Sequence, residues 1–163
     1  MTSWRGFTEQ APELAAKIHR RFTAGETHVL ATLRRDGSPR VSGTELDFHG
    51  AQIYAGSMPG AVKARDLRRD GRFAIHACPG VADGGDAKLS GTAVELTDPA
   101  EIAEVQGNTE PCHLFRLDVT DAVLTWVEGN TMLVEHWQEG GEHVRFARPG
   151  TGPVERTVLV NAG

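Results

Sequence analysis

The chain has 163 residues and a formal net charge of −5, and 39% of its residues are hydrophobic. This length predicts one domain, because two domains would each approach the size at which a hydrophobic core becomes marginal. The acidic balance argues against nucleic-acid binding, which needs a basic surface. No apolar run approaches the roughly 18 residues of a membrane span. Two cysteines without a disulfide or CxxC pattern, and an N-terminus without an apolar leader, predict a reducing, cytoplasmic compartment.

The first predicted elements are a helix and a β-hairpin. Apolar side chains recur at four-residue spacing over residues 12–23, which is typical of an amphipathic helix. Residues 28–33 and 41–48 have strand-like composition and flank the turn Asp36-Gly37. The N-terminal region therefore places one helix ahead of an antiparallel strand pair.

The rest of the chain alternates strands with short helices. Asp98, followed by Pro99, predicts the start of a helix that stops at Gly107. Gly91 marks a bend or a close backbone approach within a strand. The other predictions are strands at 52–56, 73–77, 88–96, 114–127, 132–137 and 143–146, a helix at 61–70, a loop at 79–86 and a candidate edge strand at 158–160. This order favours a mainly β fold with short helices, an antiparallel barrel, over a doubly wound parallel sheet.

The junction between the strand that ends near Ser57 and the helix after it has the residues of a phosphate site. The first turn of a helix presents free backbone N–H groups and a positive dipole end, and Lys63 adds a full charge. An equally simple interpretation is that Ser57 caps the helix and that Lys63, Arg65, Arg68 and Arg69 form its solvated face. Both interpretations stay open at this point.

Two stretches resemble the split-barrel family of pyridoxamine 5′-phosphate oxidase. One is the strand, small-residue turn and Lys-x-Arg-x-Leu of residues 53–67, with the hairpin of residues 29–45 ahead of it. The other is Glu-His-Trp-Gln-Glu-Gly-Gly-Glu-His at 135–143. The resemblance implies a single antiparallel split β-barrel domain over residues 1–163, with an N-terminal helix in 1–27, the barrel core in 28–148 and a tail in 149–163.

The resemblance also implies a homodimer that binds FMN at a subunit interface and exchanges hydride or electrons with a small organic substrate. Lys63 would hold the phosphate with help from Arg40, Trp137 would come from the second subunit, and Arg148 would contact the flavin. The residues that would line the cofactor are Thr44, Tyr54, Ala55 and Ser57.

The departures from the oxidase limit this expectation. Its substrate-binding Arg-x-His motif is replaced by Val144 and Phe146, so two donors for an anionic substrate are lost. Pyridoxamine phosphate is therefore not the expected substrate. No catalytic residue is assigned, although Tyr54 is a candidate proton donor.

Three alternatives remain beside an FMN enzyme. The family includes members that use the deazaflavin F420, whose polyglutamate tail needs extra basic residues, and members that bind heme. A non-catalytic protein that binds flavin or deazaflavin is the alternative function. No metal site is expected, because the histidines and cysteines lack a recognisable ligand spacing, apart from the adjacent Cys112-His113 pair.

Overall fold

The computed structural model describes residues 2–79 and 85–159, which contain four helices and ten strands. The helices are α1 (Trp4–Gln10), α2 (Pro12–Thr23), α3 (Val62–Arg69) and α4 (Pro99–Gln106). The strands are β1 (His28–Leu33), β2 (Pro39–Thr44), β3 (Leu46–His49), β4 (Gln52–Ser57), β5 (Arg72–His76), β6 (Asp86–Glu95), β7 (His113–Glu128), β8 (Thr131–Gln138), β9 (His143–Pro149) and β10 (Glu155–Val158). None of these helices has the length and apolarity needed to cross a membrane.

Every strand pair is antiparallel, and the main sheet runs β10-β9-β8-β7-β6-β5-β1-β2. The long strand β7 also pairs through its first residues with β4, which in turn pairs with β3. The sheet therefore folds back on itself along β7. The prediction of a mainly β, antiparallel split barrel with short helices is confirmed.

The core lies between the N-terminal helices and the sheet. Leu14, Ile18 and Phe22 project from one face of α2 and are at most 2% exposed, which confirms the predicted amphipathic helix. Phe7 of α1 is fully buried beside them. These side chains belong to one apolar cluster that continues into the strands as far as Trp137.

Three elements differ from the sequence-based predictions. Helix α1 was not predicted; the Ser3 hydroxyl accepts a hydrogen bond of 3.1 Å from the backbone N–H of Gly6 and caps its start. The strand predicted over residues 41–48 is two strands, β2 and β3, that separate at Glu45. The edge strand begins earlier than expected, at Glu155, and pairs with β9. Residues 80–84 of the predicted loop, and residue 160, lie outside the described residues.

Gly91 allows β6 and β7 to approach each other closely. A Cβ atom at this position would lie 1.9 Å from the carbonyl oxygen of Asp118, and the pairing register shifts between Ser90 and Gly91. No other residue type fits there without backbone movement. The prediction that this glycine marks a close backbone approach is confirmed.

The ends of α4 form as predicted, and they yield a first test. The Asp98 carboxylate accepts a 2.9 Å hydrogen bond from the N–H of Ala100, and Gly107 closes the helix at φ 71°. Since no residue of α4 is buried, its caps are a large part of what stabilises it.

Asp98→Ala is expected to lower the free energy of unfolding by about 1 kcal/mol, measured by urea denaturation. Asp98→Asn keeps a capping oxygen, so its free energy of unfolding should fall much less. Equal losses of stability in the two variants would contradict the capping role.

Candidate functional site

A cavity of about 860 Å³ opens where β4, the start of β7 and the end of α4 converge. The link between β2 and β3 forms one wall, and the segment that follows β4 forms another. Two residues at the end of α4, Val105 and Gln106, also line it. The cavity thus combines residues from distant parts of the chain, and its volume is in the range of small-molecule and cofactor sites.

Two nearly buried hydroxyl side chains line this cavity. Thr44 is 4% exposed and Tyr54 is 6% exposed. The Tyr54 hydroxyl makes no hydrogen bond with any residue that the structure describes, although it borders the cavity. Burial raises the pKa of Tyr54, and the negative charge of Glu101 acts in the same direction. The phenol therefore keeps its proton and can donate a hydrogen bond to a ligand in the cavity.

Lys63 and the start of α3 supply the positive side of the cavity. The Lys63 ammonium lines the wall and donates a 2.7 Å hydrogen bond to the carbonyl oxygen of Gly43. Burial lowers the pKa of Lys63, while the nearby carboxylate of Glu45 opposes that effect. No side chain caps α3, whose N-cap is Ala61, so the interpretation of Ser57 as a helix cap is wrong. Ser57 instead lines the cavity beside Lys63.

His113 holds the segment between β4 and α3 in place. The Gly60 N–H donates to Nε2 of His113 at 3.1 Å, so Nε2 carries no proton. Nδ1 lies 3.0 Å from a carboxylate oxygen of Glu95 and 3.0 Å from the guanidinium of Arg68, and Glu95 also accepts from Arg68. This cluster fixes the loop that begins at Ser57. Sequence reasoning missed it, because its members are close only in the folded chain.

Arg40 does not share the cavity with Lys63. Its Nε donates to the buried carboxylate of Asp66 at 2.6 Å, on the other side of α3. There it borders a second depression, of about 410 Å³, which also contains two carboxylates. The five arginines of this depression are Arg34, Arg35, Arg40, Arg65 and Arg69, and the carboxylates are Asp36 and Asp66, so five minus two leaves a net charge of +3.

Three other predicted site residues lie outside the cavity wall. Ala55 is 3% exposed and faces the core, and Arg148 is exposed on β9. The Trp137 indole is 3% exposed and packs on Phe7 with ring centroids 4.7 Å apart. It belongs to the core of its own subunit and does not line the cavity.

The contribution of α4 and of the chain before β7 was not predicted. The Cys112 thiol lines the cavity and donates to the Gln106 side chain at 2.8 Å, which ties the end of α4 to the start of β7. Burial raises the pKa of Cys112, so the thiol keeps its proton. No local pattern in the sequence indicates that this helix borders the site.

Comparison with solved structures supports the fold. A candidate pyridoxamine 5′-phosphate oxidase from Lactobacillus delbrueckii has a TM-score of 0.55 at 15% identity, over 66% of this chain and 89% of that one. Campylobacter jejuni ChuZ has a TM-score of 0.56 at 12% identity, over 79% of this chain and 61% of that one. A heme binding protein from Mycobacterium smegmatis has a TM-score of 0.53 at 18% identity, over 89% of this chain and 57% of that one. At these identities the likeness is one of fold.

The sequence comparison is more specific. No curated protein matches the chain. Residues 14–122 match the sequence profile of pyridoxamine 5′-phosphate oxidase. This range includes strands β1 to β6, Lys63 and the first part of β7. Because this match spans more than half of the 163 residues, the chain belongs to the pyridoxamine 5′-phosphate oxidase family.

Proposed function

We propose that the 860 Å³ cavity binds FMN and that the protein is a flavin-dependent oxidoreductase acting on a small organic molecule. The observation that carries this proposal is the convergence of Thr44, Tyr54, Ser57 and Lys63 on one cavity beside an uncapped helix start. When bound, the flavin supplies the hydride or electron transfer. The protein supplies position and electrostatics.

Each polar group suits a part of FMN. The Lys63 ammonium and the first-turn N–H groups of α3 would hold the phosphate. The hydroxyls of Thr44 and Tyr54, both nearly buried, would bond polar edges of the cofactor. Lys63 is the one cation among the described residues that line the cavity, and it is the group that would pair with a phosphate.

A homodimer is part of the proposal. Val41 and Met58 are 69% and 81% exposed, and Met58 lies at the cavity. Large exposed apolar side chains beside a ligand site suit coverage by another protein surface. A two-fold dimer would cover both cavities with the same surface and would let Arg148 of the second copy approach the flavin.

Flavin is favoured over heme by the residues of the cavity wall. No histidine is among the described residues that line the cavity, and the protonated Cys112 thiol is a poor iron ligand. A heme in this cavity would lack an axial ligand from this subunit. A flavin needs none.

F420 is the second candidate, and the arginine-rich depression favours it. A net charge of +3 lies directly across α3 from the cavity, in a chain whose overall charge is −5. A cofactor with a polyanionic tail would place carboxylates there. FMN has no group that reaches beyond its single phosphate.

The deciding experiment is a parallel titration of cofactor-stripped protein with FMN, F420 and hemin, followed by cofactor absorbance and tryptophan fluorescence. Saturable binding of FMN, one per subunit, is expected. Tighter binding of F420 would identify the deazaflavin, and not FMN, as the cofactor. If neither FMN nor F420 binds, the proposal is refuted. Tight binding of either one, without turnover of the reduced cofactor by any organic acceptor, would indicate a carrier.

A further inference from the structure

A four-residue turn, residues 58–61, leads from β4 into α3, and we call it the Gly60 turn. The Ala61 N–H donates to the carbonyl oxygen of Met58 at 3.1 Å and closes it. Gly60 has a φ of 77°, in the left-handed region that favours glycine. Its N–H donates to Nε2 of His113 at 3.1 Å, which ties the turn to the start of β7. The direction in which the chain enters α3 therefore depends on this contact.

The Gly60 turn positions the groups that would hold a phosphate. Lys63 and the first-turn N–H groups of α3 follow it directly, and no side chain caps this helix start. His113 is not among the described residues that line the cavity, although its chain neighbours Cys112 and Leu114 are. His113 would therefore act on a phosphate through the position of the turn and not by direct contact.

The contact between the turn and β7 requires a neutral imidazole. Nε2 of His113 accepts the hydrogen bond from Gly60 through its lone pair, so a proton added to the neutral ring occupies this same atom. Two N–H groups would then face each other, and the hydrogen bond would be lost. The His113 side chain is 16% exposed, so solvent can supply the proton. Acidification therefore detaches the Gly60 turn from β7.

The two charged groups beside His113 keep their charge across the range in which histidine titrates. Glu95 of β6 and Arg68 of α3 each lie 3.0 Å from Nδ1. Hydrogen bonds from Arg68 outweigh burial and hold the pKa of Glu95 below its ordinary value. The same hydrogen bonds raise the pKa of Arg68. Of these three groups, only the imidazole changes its charge between about pH 5 and 8.

The other described groups around His113 do not titrate in that range. Its pairing partner on β4 is Ser57, and the Gly60 turn contains no charged side chain. Burial raises the pKa of Cys112, so this thiol keeps its proton. Lys63 loses its charge only as the pH rises, which would weaken phosphate binding on the alkaline side. A loss of affinity on the acid side is therefore attributable to His113 or to the ligand itself.

We propose that His113 is a positioning residue for the phosphate end of the cavity and that its protonation releases the cofactor at acid pH. This inference rests on the proposed function, because a phosphate must lie beside Lys63 for the turn to matter. Since the bound cofactor selects the neutral imidazole, its affinity is full near pH 8 and falls toward about pH 5. The cofactor site thus responds to pH through a residue that does not line it.

The test compares FMN with riboflavin between about pH 8 and pH 5, in fluorescence titrations of cofactor-stripped protein. A phosphate monoester takes up a proton near pH 6, so FMN affinity has a second source of pH dependence. His113→Gln separates the two, because its amide oxygen can accept from Gly60 and does not titrate. It should match the wild type at pH 8 and bind FMN about threefold to tenfold more tightly than the wild type at pH 5.

Two further variants complete the comparison. His113→Leu removes the acceptor and should weaken FMN binding by about threefold to tenfold at pH 8. Riboflavin lacks the phosphate, so its affinity should not depend on pH or on His113. His49→Gln is the matched control, because His49 is an exposed histidine at the end of β3, outside the cavity lining. Its FMN affinity and pH profile should equal those of the wild type.

The outcomes separate this inference from the proposed function. The same FMN pH profile in wild type and His113→Gln would overturn the inference and leave FMN binding intact. So would an equal loss of riboflavin affinity in His113→Leu, because general damage to the cavity would then explain the effect. If FMN does not bind at any pH, the proposed function fails.

NMR spectroscopy of the apoprotein then tests the contact without a cofactor. The Gly60 amide resonance should shift between pH 8 and pH 5 in the wild type and stay in place in His113→Gln. Inorganic phosphate, titrated at pH 8, should bind His113→Leu more weakly than the wild type. A Gly60 resonance that behaves alike in wild type and His113→Gln, or equal phosphate affinity in wild type and His113→Leu, would refute the positioning role.

Discussion

Lys63→Ala is expected to weaken FMN binding by about 10- to 100-fold, because a charge-assisted hydrogen bond to phosphate contributes roughly 1.5–3 kcal/mol. The ammonium lies on the cavity wall next to the uncapped start of α3. The measurement is a fluorescence titration of FMN into stripped protein. Riboflavin, which lacks the phosphate, should bind the wild type and the variant with equal affinity.

Arg65→Ala is the matched control for this change. It removes the same charge from the same helix, but Arg65 borders the arginine-rich depression and not the cavity. FMN affinity should be unaffected. Weaker F420 binding by Arg65→Ala would place an anionic tail in that depression. A loss of FMN affinity equal to that of Lys63→Ala would show that the effect is one of general charge, and the phosphate assignment would be wrong.

Asp66→Asn is expected to lower the free energy of unfolding by about 2–4 kcal/mol at neutral pH. The carboxylate is 3% exposed and accepts hydrogen bonds from Arg40, Arg69 and Thr32 at 2.6, 3.0 and 3.1 Å. It joins α3 to β1 and β2. The amide has one acceptor oxygen and no charge, so two guanidinium groups lose their counterion. Urea denaturation measures the loss.

The pH dependence of that loss identifies its electrostatic origin. Burial alone would raise the pKa of Asp66, but the hydrogen bonds from Arg40, Arg69 and Thr32 outweigh it and hold the pKa below the ordinary 3.8. A carboxyl with a lowered folded-state pKa adds stability above its unfolded pKa and loses it as the pH falls through the folded one. The gap between wild type and Asp66→Asn should therefore be full at neutral pH and narrow below about pH 4.

Asp70→Asn provides the comparison. Its ion pair with Arg72 is more exposed, and hydrogen bonds from Arg72 lower the pKa of Asp70 to about 2. Solvent screens such a pair, so its loss should affect stability much less than that of Asp66. Equal losses in the two variants, or a gap for Asp66→Asn that stays constant in acid, would show that the buried ion pair is not the cause.

Local chemistry explains which elements were predictable. The hairpin turn at Gly37, with φ 83°, and the ends of α4 each depend on residues next to each other in the sequence. Helix α1 was missed because it is only seven residues long and contains Gly6, so its periodicity is weak. The break at Glu45 was missed because the residues on both sides remain strand-like.

The same distinction applies to the cavity. Ser57 and Lys63 belong to one strand-to-helix junction, and the sequence places them together correctly. The resemblance grouped Arg40 with them, but its ion-pair partner, Asp66, lies in α3, and this pairing is visible only in the fold. Long-range packing decides which side of α4 faces the cavity and why Trp137 is buried. No local sequence pattern predicts either feature.

The pairing of β4 with β7 joins residues 54–57 to residues 113–116, and every strand between them forms part of the intervening loop. Closing so long a loop is entropically costly, and non-local pairing of this kind forms slowly. The cavity therefore depends on the complete topology, and no short peptide segment of the chain would form it alone. A ligand that spans it would act as a non-covalent cross-link between the first and second halves of the chain, stabilising the closure that creates its own binding site.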